Sequence, residues 1–97
     1  MKDKLLEIIN HYKVSNQLKK LSEEVFEFQQ AVIEYDDEEC KFYENIGSTL
    51  KEHVEEEYAD CMALMEQFKN YYKLDKNRIN KIMKEKAERQ IERINNE

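Results

Sequence analysis

The stretch LSEEVFEF, residues 21–28, decides how this sequence folds, and HVEEEYADCM, residues 53–62, repeats its pattern. Both combine apolar residues at helical spacing with acidic residues three positions apart. The chain contains 22 acidic residues, so such spacings also arise by chance. The carboxylates either form a solvated surface or turn inward to hold a ligand, and the helical phase distinguishes these two arrangements.

The composition favours a small helical domain. The 97 residues suffice for one domain with a limited core, and 40% of them are apolar while 39% are charged. Glycine occurs once, at Gly47, and proline is absent, which argues against tight hairpins and an all-β fold. A P-loop or a dinucleotide-binding loop needs several glycines. Phosphates, if bound, must therefore be held by side chains and metal ions.

The charge balance limits the partners. The net charge of −6 and the pI near 5.0 argue against duplex DNA and an anionic membrane. No apolar run approaches the roughly 18 residues of a membrane span, and the N-terminal MKDKLLEIINHYK has acidic residues that a secretory signal lacks. Cys40 and Cys61 lack metal-ligand spacing. We therefore expect a cytoplasmic protein that binds neither nucleic acid nor membrane.

Helical periodicity covers nearly the whole chain. The four predicted helices span residues 3–13, 16–35, 49–73 and 76–94. Side chains suited to N-caps precede or begin three of them, namely Asp3, Ser15 and Asp75. Thr49 and Glu52 have the spacing of a capping box, and residues 35–47 interrupt the pattern as a connection. The sequence predicts an all-α fold, a compact antiparallel four-helix bundle in a single domain, residues 1–97.

The second predicted helix carries acidic residues beside its apolar row, which consists of Leu18, Leu21, Val25, Phe28 and Val32. At 100° per residue, Glu24 lies about 60° from the centre of this row and Glu27 about 120° on the same side. Gln17 and Lys20 share that flank, whereas Glu23 lies opposite the core. The phase therefore turns Glu24 and Glu27, but not Glu23, toward a neighbouring helix.

The third predicted helix places a carboxylate inside its apolar row, which consists of Leu50, Val54, Cys61, Leu64 and Phe68. Glu57 lies about 20° from the centre of the row and Asp60 about 80° to one side, while Glu56 points away. A buried carboxylate is costly unless it is paired. Either a lysine or arginine of another helix pairs with Glu57, or Glu24, Glu27, Glu57 and Asp60 converge as oxygen ligands of Mg²⁺ or Mn²⁺.

The fourth predicted helix combines an apolar face, formed by Ile79, Met83, Gln90 and Ile94, with three basic residues. Lys86 lies about 20° from the centre of this face, and Arg89 and Arg93 flank it. The aliphatic parts of these basic side chains either cover apolar surface while the charged ends reach water, or the charged ends face an anionic ligand. Together with four converging carboxylates, the second arrangement favours a phosphate bridged by metal ions.

Three motifs in this order resemble a known family. EEVFE (residues 23–27), EEYAD (56–60) and KAERQIER (86–93) resemble the signature of MazG-like all-α nucleoside triphosphate pyrophosphohydrolases, a group that includes the dimeric dUTPases and the dCTP pyrophosphatases. The resemblance covers roughly residues 15–94. It implies hydrolysis of an NTP or dNTP to the monophosphate and pyrophosphate, by attack of an activated water at the α-phosphorus, in nucleotide house-cleaning.

The resemblance also implies roles for individual residues. The Mg²⁺ ligands would be Glu24, Glu27, Glu57 and Asp60, with Glu23 as a helper. The leaving pyrophosphate would be held by Lys86, Arg89 and Arg93, and further phosphate or base contacts would come from Lys20 and Gln17. The group's asparagine a turn beyond the lysine is absent, because that neighbourhood reads Glu88-Arg89-Gln90. The resemblance therefore does not imply that a residue at this position of the present sequence selects the base.

Assembly follows from the same resemblance. The chain lacks the long extra helices of the larger dUTPases, so the pocket is expected to be incomplete in one subunit and completed in a homodimer or homotetramer. The aromatic residues Phe42, Tyr43, Tyr71 and Tyr72 serve either such an interface or the core.

Two rival functions make different demands on the sequence. A di-iron carboxylate bundle needs Glu-x-x-His pairs, which His11 and His53 do not supply. A non-catalytic helical oligomerisation or interaction module on the same scaffold would leave the acidic residues solvated or paired with basic ones.

Overall fold

The computed structural model describes residues 1–37 and 44–97, with side chains described for residues 1–37 and 49–97. In these ranges the chain is helical without strands. The helices are α1 (Lys2–Tyr12), α2 (Val14–Asp36), α3 (Glu44–Tyr71) and α4 (Lys76–Asn95). The predicted all-α class is confirmed. No helix of the described chain is both long enough and apolar enough to span a membrane.

One predicted helix start is confirmed and three are wrong. The Asp75 side chain caps α4 by accepting a hydrogen bond from the Arg78 backbone N–H at 3.0 Å. Asp3 instead lies in the first turn of α1, where its charge favours the positive end of the helix dipole. Ser15 lies inside α2, which begins at Val14 because only one residue separates it from α1.

The third helix begins before its predicted capping box. Thr49 and Glu52 lie within α3, which starts at Glu44, so the last residues of the predicted connection are helical. A single glycine inside a helix costs only about 1 kcal/mol relative to alanine, so Gly47 does not end a helix of 28 residues. Residues 38–43 of that connection, including Cys40, Phe42 and Tyr43, lie outside the described residues.

Lys13 forms the whole connection between α1 and α2. Its φ of 78° and ψ of 151° lie in a region that favours glycine, and holding lysine there costs on the order of 1–3 kcal/mol. Its N–H donates to the Ile9 carbonyl at 2.9 Å, and its carbonyl accepts from the Gln17 N–H at 3.1 Å. The turn therefore keeps helical hydrogen bonds on both sides while it redirects the chain, and it brings α1 against the other helices.

The core lies between α1, α2 and α3. The fully buried apolar residues of the described chain are Leu5, Ile9, Ala31 and Leu64. α2 and α3 make the most extensive packing, and α1 packs on α3 as well as on α2. Gln17 contacts Gln67, and the rings of Phe28 and Tyr58 lie 6.1 Å apart, so positions that ascend along α2 meet positions that descend along α3. These two helices therefore run antiparallel.

The face of α2 that packs on α3 differs from the predicted one. Glu24 lies on the packed face, between the half-buried Leu21 and Phe28 and in the same row as the buried Ala31. Val25 and Val32 are exposed, together with Leu18, Phe26 and Ile33. The predicted core direction was wrong because α2 has apolar residues on two sides. Hydrophobic periodicity alone does not show which side packs against the other helices of the same chain.

α4 projects from this three-helix core. No Cα atom of α4 comes within 8 Å of a Cα atom of α1, α2 or α3. None of its residues is buried, and its apolar side chains Ile82, Met83, Ile91 and Ile94 are exposed. The radius of gyration is 17.1 Å, whereas a compact domain of this size has about 13 Å. Among the described residues, three helices therefore pack together and no helix packs on the fourth.

Candidate metal centre

Three carboxylates meet where α2 packs on α3. Glu24 of α2 and Glu57 and Asp60 of α3 each offer one oxygen, and these oxygens all lie within 4.8 Å of one another. The antiparallel packing brings the two helices together at this point, because one turn separates Glu57 from Asp60 and both then face Glu24. Glu24 and Glu57 are half-buried and Asp60 is exposed, so the acidic triad is open to solvent on one side.

Burial and mutual repulsion disfavour the charged forms of two carboxyl groups in the acidic triad. Burial raises the pKa of Glu24 above its ordinary value, and the neighbouring charges of Glu27, Asp60 and Glu57 raise it further, while Lys20 opposes them. Burial also raises the pKa of Glu57, with repulsion from Glu27 and Asp60 adding to it. One buried oxygen of each residue, Glu24 Oε2 and Glu57 Oε2, has no hydrogen-bond partner among the described residues. Buried carboxylate oxygens normally have partners, so this site is suited to a cation.

The alternative partner of Glu57 is not found in the described part of the chain. Its side chain is only 12% exposed, and its ion-pair partner is His53 of the same helix, with Nδ1 and Oε1 3.9 Å apart. That distance exceeds a hydrogen bond, and the histidine is charged only when protonated. No lysine or arginine of the described residues pairs with Glu57, so within this part of the chain only His53 balances its charge.

The other predicted acidic residues lie beside the triad. Glu27 is exposed, and its charge raises the pKa of Glu57. Glu23 and Glu56 are exposed on the sides that the helical phase predicts. Glu27 therefore adjoins the triad without completing it, and Glu23 lies outside it.

Cys61 adjoins the acidic triad without offering it a thiolate. Burial and the four surrounding carboxylates raise the pKa of its thiol, so the sulfur stays protonated at neutral pH. This favours an all-oxygen set of ligands.

A cleft with a volume of about 560 Å³ opens beside the triad, in the range of small-ligand pockets. It is lined by Ile8, Tyr12, Gln17, Lys20, Glu24, Asp60, Ala63, Leu64 and Gln67. The sequence-predicted contacts Gln17 and Lys20 are thus brought next to the acidic triad. The sequence analysis did not predict Tyr12 and Gln67. The available signal for Gln67 was an amide on the same flank of α3 as Asp60, one heptad later.

The predicted basic contacts lie apart from the triad. Lys86, Arg89 and Arg93 surround a hollow of about 210 Å³ on α4, together with Gln90. Since no Cα atom of α4 lies within 8 Å of a Cα atom of the described α2 or α3, this basic group does not pack beside the carboxylates of the same chain.

No family model, curated protein or solved structure matches the chain. The resemblance to the MazG-like hydrolases therefore stays a hypothesis that depends on the three motifs.

The raised pKa values of Glu24 and Glu57 predict how stability depends on pH. Each folded-state pKa lies above the ordinary 4.5. Between pH 4.5 and the raised pKa values, the native state therefore binds more protons than the unfolded state. The free energy of unfolding of the metal-free protein should therefore fall as pH rises from 4.5 through the raised pKa values. Urea unfolding at a series of pH values measures this dependence.

Two comparisons isolate the triad's contribution. Glu57→Gln should reduce the slope of the free energy of unfolding against pH. Glu56→Gln, which removes an exposed charge from the same helix, should leave this slope unchanged. Addition of Mg²⁺ at neutral pH should restore stability, because a bound cation removes the repulsion among the carboxylates. Equal slopes for both variants would contradict the assignment of the pH dependence to the triad.

Proposed function

We propose that this chain is a Mg²⁺-dependent nucleoside triphosphate pyrophosphohydrolase, which converts an NTP or dNTP and water into the monophosphate and pyrophosphate. The observation that supports the proposal is the meeting of Glu24, Glu57 and Asp60, each with one oxygen within 4.8 Å of the others. Glu24 and Glu57 each also have a buried oxygen without a partner among the described residues. The order of the three motifs that resemble the MazG-like hydrolases supports the same reaction.

The residues fit a hard divalent cation. Glu24, Glu57 and Asp60 offer only oxygen, which Mg²⁺ and Mn²⁺ prefer, and Glu27 is close enough to add a further carboxylate. We propose these four as the ligands. When bound, the metal would lower the pKa of a coordinated water and neutralise charge on phosphate oxygens.

The other predicted site residues would act electrostatically on the phosphates of the substrate. Lys20 lies at the cleft beside Glu24 and would bind a phosphate oxygen of the substrate, which reduces repulsion between the triphosphate and the triad. Glu23, exposed next to Glu24, would orient solvent or Lys20 as a helper. Lys86, Arg89 and Arg93 would stabilise the charge that develops on the leaving pyrophosphate.

We infer that a second copy of the chain supplies those basic residues. α4 contains seven basic and three acidic residues, whereas α2 and α3 together contain twelve acidic and four basic ones, and α4 touches neither within the chain. The apolar face of α4 and the row of α2 that contains Val25 and Val32 are both exposed in one chain. Exposed apolar patches of this kind are typical of protein–protein interfaces. A homodimer or homotetramer in which α4 packs on the acidic face of its neighbour covers both patches and completes a four-helix bundle.

The test is an assay of pyrophosphate release from a panel of NTPs and dNTPs with Mg²⁺, with Mn²⁺ and with EDTA. We expect metal-dependent release from at least one nucleotide. Absence of release from every nucleotide, together with an unchanged melting temperature on addition of Mg²⁺, would contradict the proposal.

The alternative is a non-catalytic helical module that assembles or binds a partner through α4. The observation that favours it is the exposure of both apolar faces, which needs no chemistry at the triad. A stable oligomer that neither binds Mg²⁺ nor releases pyrophosphate would favour this module over the enzyme.

A further inference from the structure

Two polar residues occupy equivalent positions in the buried row of α2. Between residues 17 and 31, the residues of α2 that are not exposed are Gln17, Leu21, Glu24, Phe28 and Ala31, at alternating spacings of four and three. This spacing is the heptad pattern of helices that pack side by side. Gln17 and Glu24 are the polar members of this row, and Glu24 follows Gln17 by seven positions. Seven residues make almost two helical turns, so both side chains leave the same face of α2 at levels about 10 Å apart.

The partners of these two residues on α3 have the same spacing. Gln67 follows Asp60 by seven positions. Because α2 and α3 run antiparallel, Gln17 meets Gln67 at one level and Glu24 meets Asp60 at the other. Gln17 Nε2 donates to Gln67 Oε1 at 2.8 Å, and the two residues are only 4% and 5% exposed. This amide pair, Gln17 and Gln67, therefore lies on the same line of contact as the acidic triad, about two turns away.

The other interactions along this contact favour the observed register of α2 against α3 only weakly. Burial of apolar side chains is non-directional, so one helix can slide along the other without losing all of it. The acidic triad opposes the observed register in the absence of a cation, because Glu24 is repelled by Asp60 and Glu57. A directional interaction is therefore needed to hold the carboxylates at the same level.

The amide pair distinguishes the observed register from its neighbours. A slide of one turn would bring Gln17 level with Leu64, whose side chain offers no hydrogen bond. Both amides would then lose their partner while they stay removed from water, which is unfavourable relative to the unfolded chain. A single buried polar residue fixes the register of coiled coils in the same way.

We propose that Gln17 and Gln67 are positioning residues, whose buried hydrogen bond fixes the register of α2 against α3 and so holds Glu24 level with Asp60 before a cation binds. The inference rests on the proposed function for the purpose of the assembled carboxylates, whereas the register is a property of the metal-free protein. Neither amide has to touch the cation. The carboxylates are brought together in advance, so cation binding does not have to order the two helices.

The first experiment replaces both amides by apolar side chains of similar size. Gln17→Met combined with Gln67→Met keeps the packed volume and removes the hydrogen bond. The urea midpoint of the metal-free protein should stay the same or rise, because both buried polar groups are replaced together. Mn²⁺ affinity, titrated by electron paramagnetic resonance, should nevertheless fall about 10- to 100-fold, as it does on loss of residues that orient metal ligands. Unchanged affinity, or a loss of affinity that is accompanied by a loss of stability, would overturn the positioning role.

A measurement without metal separates this inference from the proposed function. In NMR spectra of the ¹⁵N-labelled, metal-free wild type, the backbone amides of α2 and α3 should give one set of signals. The double variant should give broadened or multiple signals, because more than one register is populated. Such a change in a protein that neither binds Mn²⁺ nor releases pyrophosphate would support the register role and contradict only the hydrolase. One sharp set of signals in the double variant, with wild-type chemical shifts at Glu24 and Asp60, would overturn the inference.

A matched control changes the same two helices but keeps the amide pair. Leu21→Met combined with Leu50→Met replaces two half-buried apolar residues, one on α2 and one on α3, by side chains of similar volume. This variant should retain one set of NMR signals and a Mn²⁺ affinity within a few-fold of the wild type. Equal losses in both double variants would show that any repacking disturbs the site, and would overturn the specific role of the amides.

The wild-type protein provides a test that does not depend on any variant. Without metal, the side-chain amide protons of Gln17 and Gln67 should show nuclear Overhauser effects to each other and should exchange slowly with solvent, because the pair is buried. Rapid exchange of both amides, or absence of these effects, would overturn the amide pair as a constraint on register, also where the double methionine variant loses its helical circular dichroism.

Discussion

Glu57→Ala and Asp60→Ala should each lower kcat/KM for nucleotide hydrolysis by more than about 100-fold, because even residues that only support metal ligands commonly account for ~10- to 100-fold. Each substitution removes one of the three carboxylates whose oxygens meet within 4.8 Å. Mn²⁺ affinity, measured by titration followed by electron paramagnetic resonance, should fall in parallel. The helical circular dichroism should stay unchanged.

The stability of the metal-free Glu57→Ala variant separates a metal site from a structural ion pair. Its free energy of unfolding should equal or exceed that of the wild type near neutral pH, because a half-buried charge that is repelled by Glu27 and Asp60 is removed. Loss of stability would instead indicate that Glu57 has a stabilising partner.

Glu56→Ala is the matched control for this prediction. It removes the adjacent glutamate of the same helix, which is exposed and lies outside the triad. Activity and Mn²⁺ affinity should remain within a few-fold of the wild type. If Glu56→Ala were the damaging change and Glu57→Ala harmless, the assignment of the triad would be wrong.

The second large effect is expected when two inactive proteins are mixed. One is Glu57→Ala, and the other replaces Lys86, Arg89 and Arg93 by alanine. If α4 acts on the acidic triad of a neighbouring copy, each mixed dimer contains one site with an intact triad and an intact basic group. Coexpression of the two chains should then restore about one quarter of the wild-type activity for random pairing in a symmetric dimer.

Matched controls make this result specific. Replacing Lys76, Lys81 and Lys84 removes the same charge from the same exposed helix but leaves the basic group, so this protein should stay active alone. Light scattering should give a mass that is a multiple of 11.8 kDa for every variant. No recovery of activity in coexpressed chains whose mixed oligomers are isolated would show that the basic group does not act across subunits.

Local features of this protein were readable from the sequence. The four helices follow from hydrophobic periodicity, and Asp75 was identified as a cap because its side chain lies at the start of a periodic run. The inward position of Glu57 follows from its place among Val54, Cys61 and Leu64, since residues three and four apart share one face of a helix. Such features depend on neighbours within one or two turns.

The sequence was less informative about which faces meet. α2 carries two apolar rows, and only packing against α3 buried the row that contains Glu24 and Ala31 and left Val25 exposed. Ser15 was wrong as a cap because a one-residue turn at Lys13, in a backbone conformation typical of glycine, cannot be predicted from a lysine.

What the sequence determined by itself is therefore the helical class, the relative positions of residues around each helix and the inward position of Glu57. The tertiary structure alone decided that Glu24 meets Glu57 and Asp60, that Gln17 pairs with Gln67 across 50 residues, and that α4 contacts none of the other three helices. The physical reason is that helical phase is set by local backbone geometry, whereas the pairing of faces depends on packing between distant segments, in which small residues such as Ala31 allow close approach.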